Sequence, residues 1–190
     1  MLKTVRSLLV FAALSVFGQA ALADSYSDTV KAFREAGETT TFFSNAYGYA
    51  VFPTIGKGGI GIGGAHGKGR VYAQGSHVGN VSMTQVTVGF QLGGQAFSQM
   101  IFFQDERSFR EFTSGNFEFS AQMTAVAITA GVSAETNTGG GMSAGASGGR
   151  NDAATAHAGY RKGMAAFTIA KGGLMYEASL GGQKFSYTPL

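Results

Sequence analysis

The stretch from Tyr47 to Gln74 constrains the fold most, because glycines recur at nearly alternate positions in the sequence YGYAVFPTIGKGGIGIGGAHGKGRVYAQ. A strand, a glycine-rich hairpin and a second strand are the simplest explanation of this pattern. Glycine weakens a strand unless another group must approach its backbone or the sheet must bend there. We therefore predict a β-rich fold whose sheet bends at this hairpin.

The N-terminus has the three parts of a secretory signal peptide. Lys3 and Arg6 precede an apolar run at residues 8–17 that is too short to span a bilayer, and Ala21-Leu22-Ala23 provides a small-residue cleavage site. We predict export and cleavage before Asp24, with a membrane anchor as the alternative. The chain has no cysteine, which excludes both a lipid-modified cysteine and a disulfide.

The remaining segment, residues 24–190, is long enough for one domain with a sizeable core. Loss of residues 1–23 removes two of the fourteen basic residues and none of the eleven acidic ones, so the formal net charge falls to about +1. This balance gives no electrostatic support for nucleic-acid binding. Sixteen phenylalanines, thirty glycines and only two prolines favour an ordered, mainly β protein over a disordered one.

Two short amphipathic helices are predicted before the glycine-rich hairpin. The first starts at Ser25, and the second starts at Thr39 or Thr40. The apolar face of the first helix consists of Tyr26, Val30 and Phe33. We interpret both helices as packing elements, and the alternative is a first helix that contacts a membrane through Tyr26 and Phe33.

Alternating apolar residues predict the strands that follow. The first runs from Gln85 to Leu92, where apolar side chains at the even-numbered positions show the two-residue period of a half-buried strand, with these side chains on its buried face. Val81 and Met83 have the opposite parity, so we predict a bulge near Thr84. The nearly continuous apolar run from Ala96 to Phe103 predicts a central antiparallel strand that is covered on both faces.

The second half of the chain alternates between ordered elements and a low-complexity segment. The predicted elements are a short helix capped by Asp105 with Phe109 and Phe112 buried, a long strand over Phe117–Val132, a hairpin of Met164–Ala170 and Leu174–Leu180, and a last strand near Phe185 and Tyr187. Residues 134–156 are mostly Gly, Ser, Thr, Ala and Asn and predict a mobile loop. The predicted fold class is mainly β (α+β): a strongly bent or barrel-like antiparallel sheet of about seven to nine strands, with N-terminal helices and one short helix between strands.

Residue patterns for catalysis, cofactors and metals are incomplete in this chain. Gly59-x-Gly61-x-x-Gly64 matches the dinucleotide fingerprint, but no helix follows it to present an N-terminus to a pyrophosphate. His66-Gly67-Lys68 lacks the hydroxyl residue that a phosphate loop has after its lysine. The three histidines are far apart, and no nucleophile with a base and an orienting acid can be assembled. We predict a protein that is not an enzyme and that has no cofactor or metal.

Six cations stand among the glycines of the two predicted hairpins. They are Lys57, Lys68 and Arg70 on the opening hairpin and Arg161, Lys162 and Lys171 on the closing one. Each cation near an anionic membrane contributes on the order of 1 kcal/mol to binding. The alternative is that lysines at hairpin tips keep the sheet edges soluble.

The run AYGYAVFPTIGKGGIGIGGAHGKGRVY resembles the opening signature of the SYLF domain family, in which an apolar run ending in Phe-Pro is followed by Lys, Gly and a glycine-rich hairpin. QVTVGFQLGGQAFSQMIFF and YRKGMAAFTIAKGGLMYEASLGG are similar to the second and third blocks of that family, so the resemblance covers nearly all of residues 24–190. It implies a lipid-binding domain of the exported, stand-alone bacterial type, in the periplasm or cell envelope. Eukaryotic members favour phosphoinositides and some yeast members bind actin, but Asn80-Val81-Ser82 stands where many of them have Trp-Ser. These two activities are therefore not carried over.

The sequence thus predicts a non-enzymatic, exported protein that binds phospholipid headgroups or a membrane surface through the six cations. Anionic phospholipids are the expected partner, and nucleic acid is not. A small outer-membrane β-barrel or a structural envelope protein is the alternative, since alternating strands, glycine turns and a signal peptide fit it as well. A carrier that holds a small ligand on the concave face of the sheet is a third possibility.

Overall fold

The computed structural model describes residues 25–89, 94–120, 125–128, 159–171 and 181–190. Within these ranges there are three helices, α1 (residues 25–35), α2 (Thr40–Asn45) and α3 (Glu106–Phe112). The seven strands are β1 (Gly48–Ala73), β2 (Ser76–Gly89), β3 (Gly94–Phe103), β4 (Asn116–Glu118), β5 (Val126–Ile128), β6 (Met164–Lys171) and β7 (Gln183–Pro189). The predicted signal peptide, the predicted loop at residues 134–156 and the predicted strand Leu174–Leu180 lie outside the described residues.

The seven strands form one sheet in the order β4-β7-β2-β1-β3-β6-β5. Neighbouring strands are antiparallel except β5 and β6, which are parallel. Over the described residues the sheet is open, with β4 and β5 at its edges, and is not closed into a barrel. The predicted mainly β fold with a few short helices is confirmed.

Strand β1 doubles back on itself, as the glycine-rich hairpin predicts. Its first half, Gly48–Gly58, pairs with β3, and its second half, Gly61–Ala73, pairs with β2. Ile55 and Gly67 are twelve positions apart, a distance of about 40 Å along an extended strand. A Cβ atom on residue 67 would nevertheless lie 2.5 Å from Cγ1 of Ile55. The two halves therefore lie side by side, and residue 67 is glycine because the Ile55 side chain crosses its backbone.

The predicted bulge near Thr84 is wrong, and so is the predicted burial of Val86. Pairing between β1 and β2 is continuous from Gly61 and Gly89 to Val71 and Gly79. The register shifts only after this last pair, because Tyr72 pairs with His77 and leaves Val78 without a partner on β1. Strand β7 pairs with the same stretch of β2 without a shift, so hydrogen bonds on both sides fix its register. The β2 residues on the buried side are Val81, Met83 and Gln85. Val86 has the opposite parity and is 75% exposed.

The predicted long strand over Phe117–Val132 is also wrong. This segment contains two short strands, β4 and β5, which lie at opposite edges of the sheet. Phe119 donates a backbone hydrogen bond to Gln183 (3.0 Å), and Phe119 and Ala125 both belong to the core on one side of the sheet. Phe119 and Ala125 are thus buried in the same core, although the strands next to them, β4 and β5, lie at opposite edges.

Each side of the sheet carries a hydrophobic core. We call the two sides the inner face, whose core includes Phe52, Phe185 and Phe112 of α3, and the helical face, whose core includes Phe102, Phe33 of α1 and Phe42 of α2. Along β3, Met100 belongs to the helical face and Ile101 to the inner face, and both are completely buried. This burial on both faces confirms β3 as the predicted central strand.

The sheet is strongly bent around the inner face. Gln99 of β3 and Gln183 of β7 exchange amide hydrogen bonds of 2.9 and 3.1 Å, although β1 and β2 lie between their strands in the sheet. Neighbouring strands are about 4.8 Å apart. Side chains of β3 and β7, which are separated by β1 and β2, can therefore meet only when the sheet curls. The predicted bend is therefore present, and a buried amide pair spans it.

Replacing Gln99 with leucine is expected to lower the free energy of unfolding by about 2 kcal/mol, because the Gln183 amide loses its partner while completely enclosed. Replacing both glutamines with leucine is expected to recover most of this loss, since no buried polar group remains. Urea unfolding of both single variants and the double variant measures the coupling. Additive losses in the double variant would contradict this account.

The helix α3 begins as predicted, with Asp105 as its N-terminal cap. The Asp105 carboxylate accepts a hydrogen bond from the backbone N–H of Ser108 at 2.8 Å, and the Ser108 hydroxyl is 3.3 Å from the Asp105 backbone nitrogen. Hydrogen bonds from Ser108, together with the nearby Arg107, hold the pKa of Asp105 below its usual range. Phe112 is completely buried and Phe109 packs against the inner core, as predicted.

Candidate functional site

The structure does not gather the six predicted cations into one site. Ile55 belongs to the inner core, and Lys57, two residues further along the strand, shares its side of the sheet. Val71 also belongs to the inner core, whereas Lys68 and Arg70 have the opposite parity and lie on the helical face. Lys57 is therefore separated by the sheet from the other two cations of the opening hairpin.

Lys171, at the end of β6, lies close to Lys68 on the helical face. The Lys171 Nζ donates a hydrogen bond to Thr54 Oγ1 at 3.0 Å. The carbonyl oxygen of Thr54 is in turn 3.0 Å from the Cβ position of Gly67, which precedes Lys68 in the chain. The fold thus brings together one cation from each predicted hairpin.

Arg161 and Lys162 lie in the turn that precedes β6. Arg161 and Met164 exchange backbone hydrogen bonds of 2.8 and 3.0 Å, and the two residues between them, Lys162 and Gly163, have positive φ angles of 52° and 80°. Both cations are exposed. Because β6 extends about 3.3 Å per residue, its first residue, Met164, lies roughly 23 Å from Lys171. Arg161 pairs with Met164 at that far end, so the two cations form a separate surface.

Exposed apolar side chains share the helical face with Lys68 and Lys171. Ile62 is 71% exposed and Val86 is 75% exposed. Val86 pairs with Gly64, so Ile62 and Val86 are close neighbours across β1 and β2, with a glycine beside them that cannot cover either one. We call Ile62, Val86, Lys68 and Lys171 the ribbon surface.

The ribbon surface has no counter-charge on the strands around it. No acidic residue occurs between Glu38 and Asp105, so β1, β2 and β3 contain none. This gap could have been noticed in the sequence. The exposure of Ile62 and Val86 could not, because it depends on the register of β2 rather than on composition.

A groove of about 380 Å³ lies between α1 and the sheet on the helical face. Its lining includes Tyr26, Val30 and Arg34 of α1 and Tyr49 and Tyr72 of β1. The rings of Tyr49 and Tyr72 are stacked, with centroids 5.0 Å apart and an angle of 18° between their planes. These two tyrosines come from opposite halves of β1, so the fold-back of the strand builds this part of the groove.

Two arginines stack on aromatic rings at this groove. The Arg70 Cζ lies 4.2 Å from the ring centroid of Tyr26, and the Arg34 Cζ lies 4.5 Å from that of Phe43. Within the described part of the chain, neither arginine forms a salt bridge. The structure therefore joins two predicted residues, Arg70 and Tyr26, and adds Arg34, which the sequence pattern did not single out.

Tyr26 and Tyr49 of the groove remain protonated at neutral pH. Burial raises the pKa of Tyr26 and of Tyr49 above the usual range of tyrosine. Arg70 beside Tyr26 and Arg34 beside Tyr49 act in the opposite direction but do not cancel the effect of burial. Both phenol hydroxyls are therefore available as hydrogen-bond donors.

The helix α1 packs on the sheet through the residues predicted for its apolar face. Phe33 is completely buried in the core of the helical face, and Tyr26 and Val30 pack partly buried against it. Contact between Phe33 and a membrane would require α1 to leave the sheet. No helix among the described residues has the length and hydrophobicity needed to cross a bilayer.

Comparison with protein-family models and with curated proteins finds no match for this chain. The membership of the SYLF family that residues 46–72 suggest therefore stays a prediction. The geometry of the ribbon surface and of the groove is the basis for the functional argument.

Proposed function

We propose that this protein is a non-enzymatic, exported lipid-binding protein that docks on anionic phospholipid membranes through the ribbon surface. The observation that carries the proposal is the exposure of Ile62 and Val86 on the same side of the sheet as Lys68 and Lys171. Export rests on the signal-peptide pattern of residues 1–23, and the choice of lipid is supported by the SYLF-like signature.

This combination of side chains is suited to the boundary between headgroups and acyl chains. Full burial of a valine or isoleucine side chain contributes about 1.5–3 kcal/mol, and a lysine near an anionic surface contributes about 1 kcal/mol. Two residues of each kind give an interaction on the order of 5 kcal/mol, which resembles that of a single acyl anchor. The docking we propose is therefore reversible, and it weakens as salt screens the lysines.

Flotation with phosphatidylcholine vesicles and with vesicles that also contain phosphatidylglycerol tests the proposal. Binding is expected to the anionic vesicles and not to the neutral ones. Lys68→Gln with Lys171→Gln is expected to weaken binding about thirtyfold, because two favourable charge interactions of about 1 kcal/mol each are lost. Ile62→Gln with Val86→Gln is expected to weaken it at least as much, because a polar side chain gains nothing from the acyl region.

Two matched controls separate the ribbon surface from general effects of charge and hydrophobicity. Arg161→Gln with Lys162→Gln removes the same charge at the other end of β6, and Leu190→Gln removes an apolar side chain that is as exposed as Val86. Both controls are expected to bind as the unmodified protein does. Equal failure of the unmodified protein on both vesicle types would overturn the proposal.

A further inference from the structure

The groove between α1 and β1 has the composition of a binding site for a small anion. Arg34 lines the groove and stacks on Phe43, and Arg70 stacks on Tyr26, another lining residue, from the edge of the groove. A planar guanidinium presents several N–H donors at its edge, in a geometry that matches phosphate oxygens. Because stacking already restricts each side chain, less conformational entropy is lost when an anion binds.

The donors of the two arginines are not used by acidic side chains of the described residues. By contrast, Lys31, which also lines the groove, has its ammonium 3.9 Å from the Glu35 carboxylate. On α3 the comparison is clearer, since Arg107 and Arg110 are 3.4 and 2.6 Å from the carboxylates of Glu111 and Glu106. Arg34 and Arg70 thus differ from the paired arginines of the same protein.

We infer that this groove binds a phosphate-type anion attached to a small apolar group. Arg34 and Arg70 contact the anion, the hydroxyls of Tyr26 and Tyr49 donate to it, and the apolar group lies against the tyrosine rings. A volume of about 380 Å³ is sufficient for such a ligand, since small-molecule sites begin near roughly 300 Å³. A phospholipid headgroup and a free phosphate monoester share this chemistry.

This site shares no residue with the ribbon surface and lies apart from its apolar side chains, although Lys68 is only two residues from Arg70 on the same side of β1. Arg70 stands eight residues from Ile62 on β1, which corresponds to about 26 Å of extended strand. The inference therefore does not rest on membrane docking. A protein with the Ile62 and Val86 substitutions is expected to keep the groove intact, so failure of one proposal is distinguishable from failure of the other.

Isothermal titration of the full chain with dihexanoyl phosphatidate below its micelle concentration, and separately with glycerol 3-phosphate, tests the inference. Saturable binding of at least one probe at a single site is expected. Tighter binding of dihexanoyl phosphatidate identifies a phospholipid as the source, and equal binding identifies a free phosphate monoester. Failure of both probes to bind overturns the inference.

The variant Arg34→Gln with Arg70→Gln is expected to raise the dissociation constant at least tenfold. Arg107→Gln with Arg110→Gln removes the same charge from α3 and is expected to leave the dissociation constant within twofold. Equal weakening in both double variants would show a general charge effect and would sink the idea.

A second measurement needs no variant, since loss of the Arg70–Tyr26 stack could disturb α1. The chain has seven tyrosines and no tryptophan, so tyrosine-labelled protein gives a simple NMR spectrum. The probe is expected to shift the ring signals of Tyr26, Tyr49 and Tyr72 and to leave Tyr187, which lies at the end of β7, unshifted. Shifts that avoid the three groove tyrosines would contradict the inference.

Discussion

Replacing Gly69 with alanine is expected to lower the free energy of unfolding by about 3 kcal/mol, the upper part of the range for an overpacked core. A Cβ atom on residue 69 would lie 2.7 Å from two ring carbons of Phe52 and 2.8 Å from the carbonyl oxygen of Val51. Phe52 is completely buried and cannot move aside. The carbonyl belongs to the backbone of the other half of β1. Denaturant unfolding followed by circular dichroism measures the loss.

Gly64→Ala is the matched control, because it makes the same substitution on the same half of β1. A Cβ atom on residue 64 would meet nothing closer than the Gln85 carbonyl oxygen, at 3.6 Å. The expected change is within about 1 kcal/mol, and it can be favourable because alanine restricts the unfolded chain. Equal losses in both variants would mean that close approach is not the reason for Gly69.

Replacing Phe185 with alanine is expected to destabilise the protein by about 4 kcal/mol, as is typical when a large aromatic side chain leaves a cavity in a core. Phe185 is 1% exposed, and its ring lies 5.7 Å from that of Phe52, 5.0 Å from that of Phe112 and 5.3 Å from that of Phe119. It therefore joins β7 to β1, to α3 and to the segment after β4. Thermal or urea unfolding measures the loss.

Leu190→Ala provides the comparison for Phe185→Ala. Leu190 is also apolar and lies five residues away, but it is 75% exposed. Its truncation is expected to change stability by less than about 0.5 kcal/mol. A small loss for Phe185→Ala, similar to that of Leu190→Ala, would indicate that the inner core can repack around β7.

Local patterns were sufficient to predict most elements of this fold. The spacing of Tyr26, Val30 and Phe33 predicts α1, and the apolar run at Ala96–Phe103 predicts the central strand. These signals depend on residues that are near one another in the chain. The bulge and the long strand over Phe117–Val132 were wrong because they depend on pairing with distant strands. In particular, β7 fixes the register of β2 from the other end of the chain.

The candidate site was predictable in part for the same reason. Residue type and glycine context single out Lys68, Lys171 and Arg70, and the helical pattern singles out Tyr26. The parity that separates Lys57 from Lys68 depends on the fold-back of β1, and the contact between Lys171 and Thr54 joins residues 117 positions apart. The groove as a whole is not predictable from local sequence patterns, because its tyrosines come from three segments that meet only in the folded protein.

The strand order has a consequence for how the chain reaches its folded state. Strands β1, β2 and β3 are consecutive in sequence and form the middle of the sheet, whereas β6 and β7, from the last 27 residues, flank this middle on its two sides. Neither side is complete until the C-terminal residues have left the ribosome, and the pairing of β2 with β7 joins regions about 100 residues apart. Such long-range pairing slows folding. For a chain exported as we propose, late completion of the sheet would keep the polypeptide in the unfolded form that passes through a secretion channel.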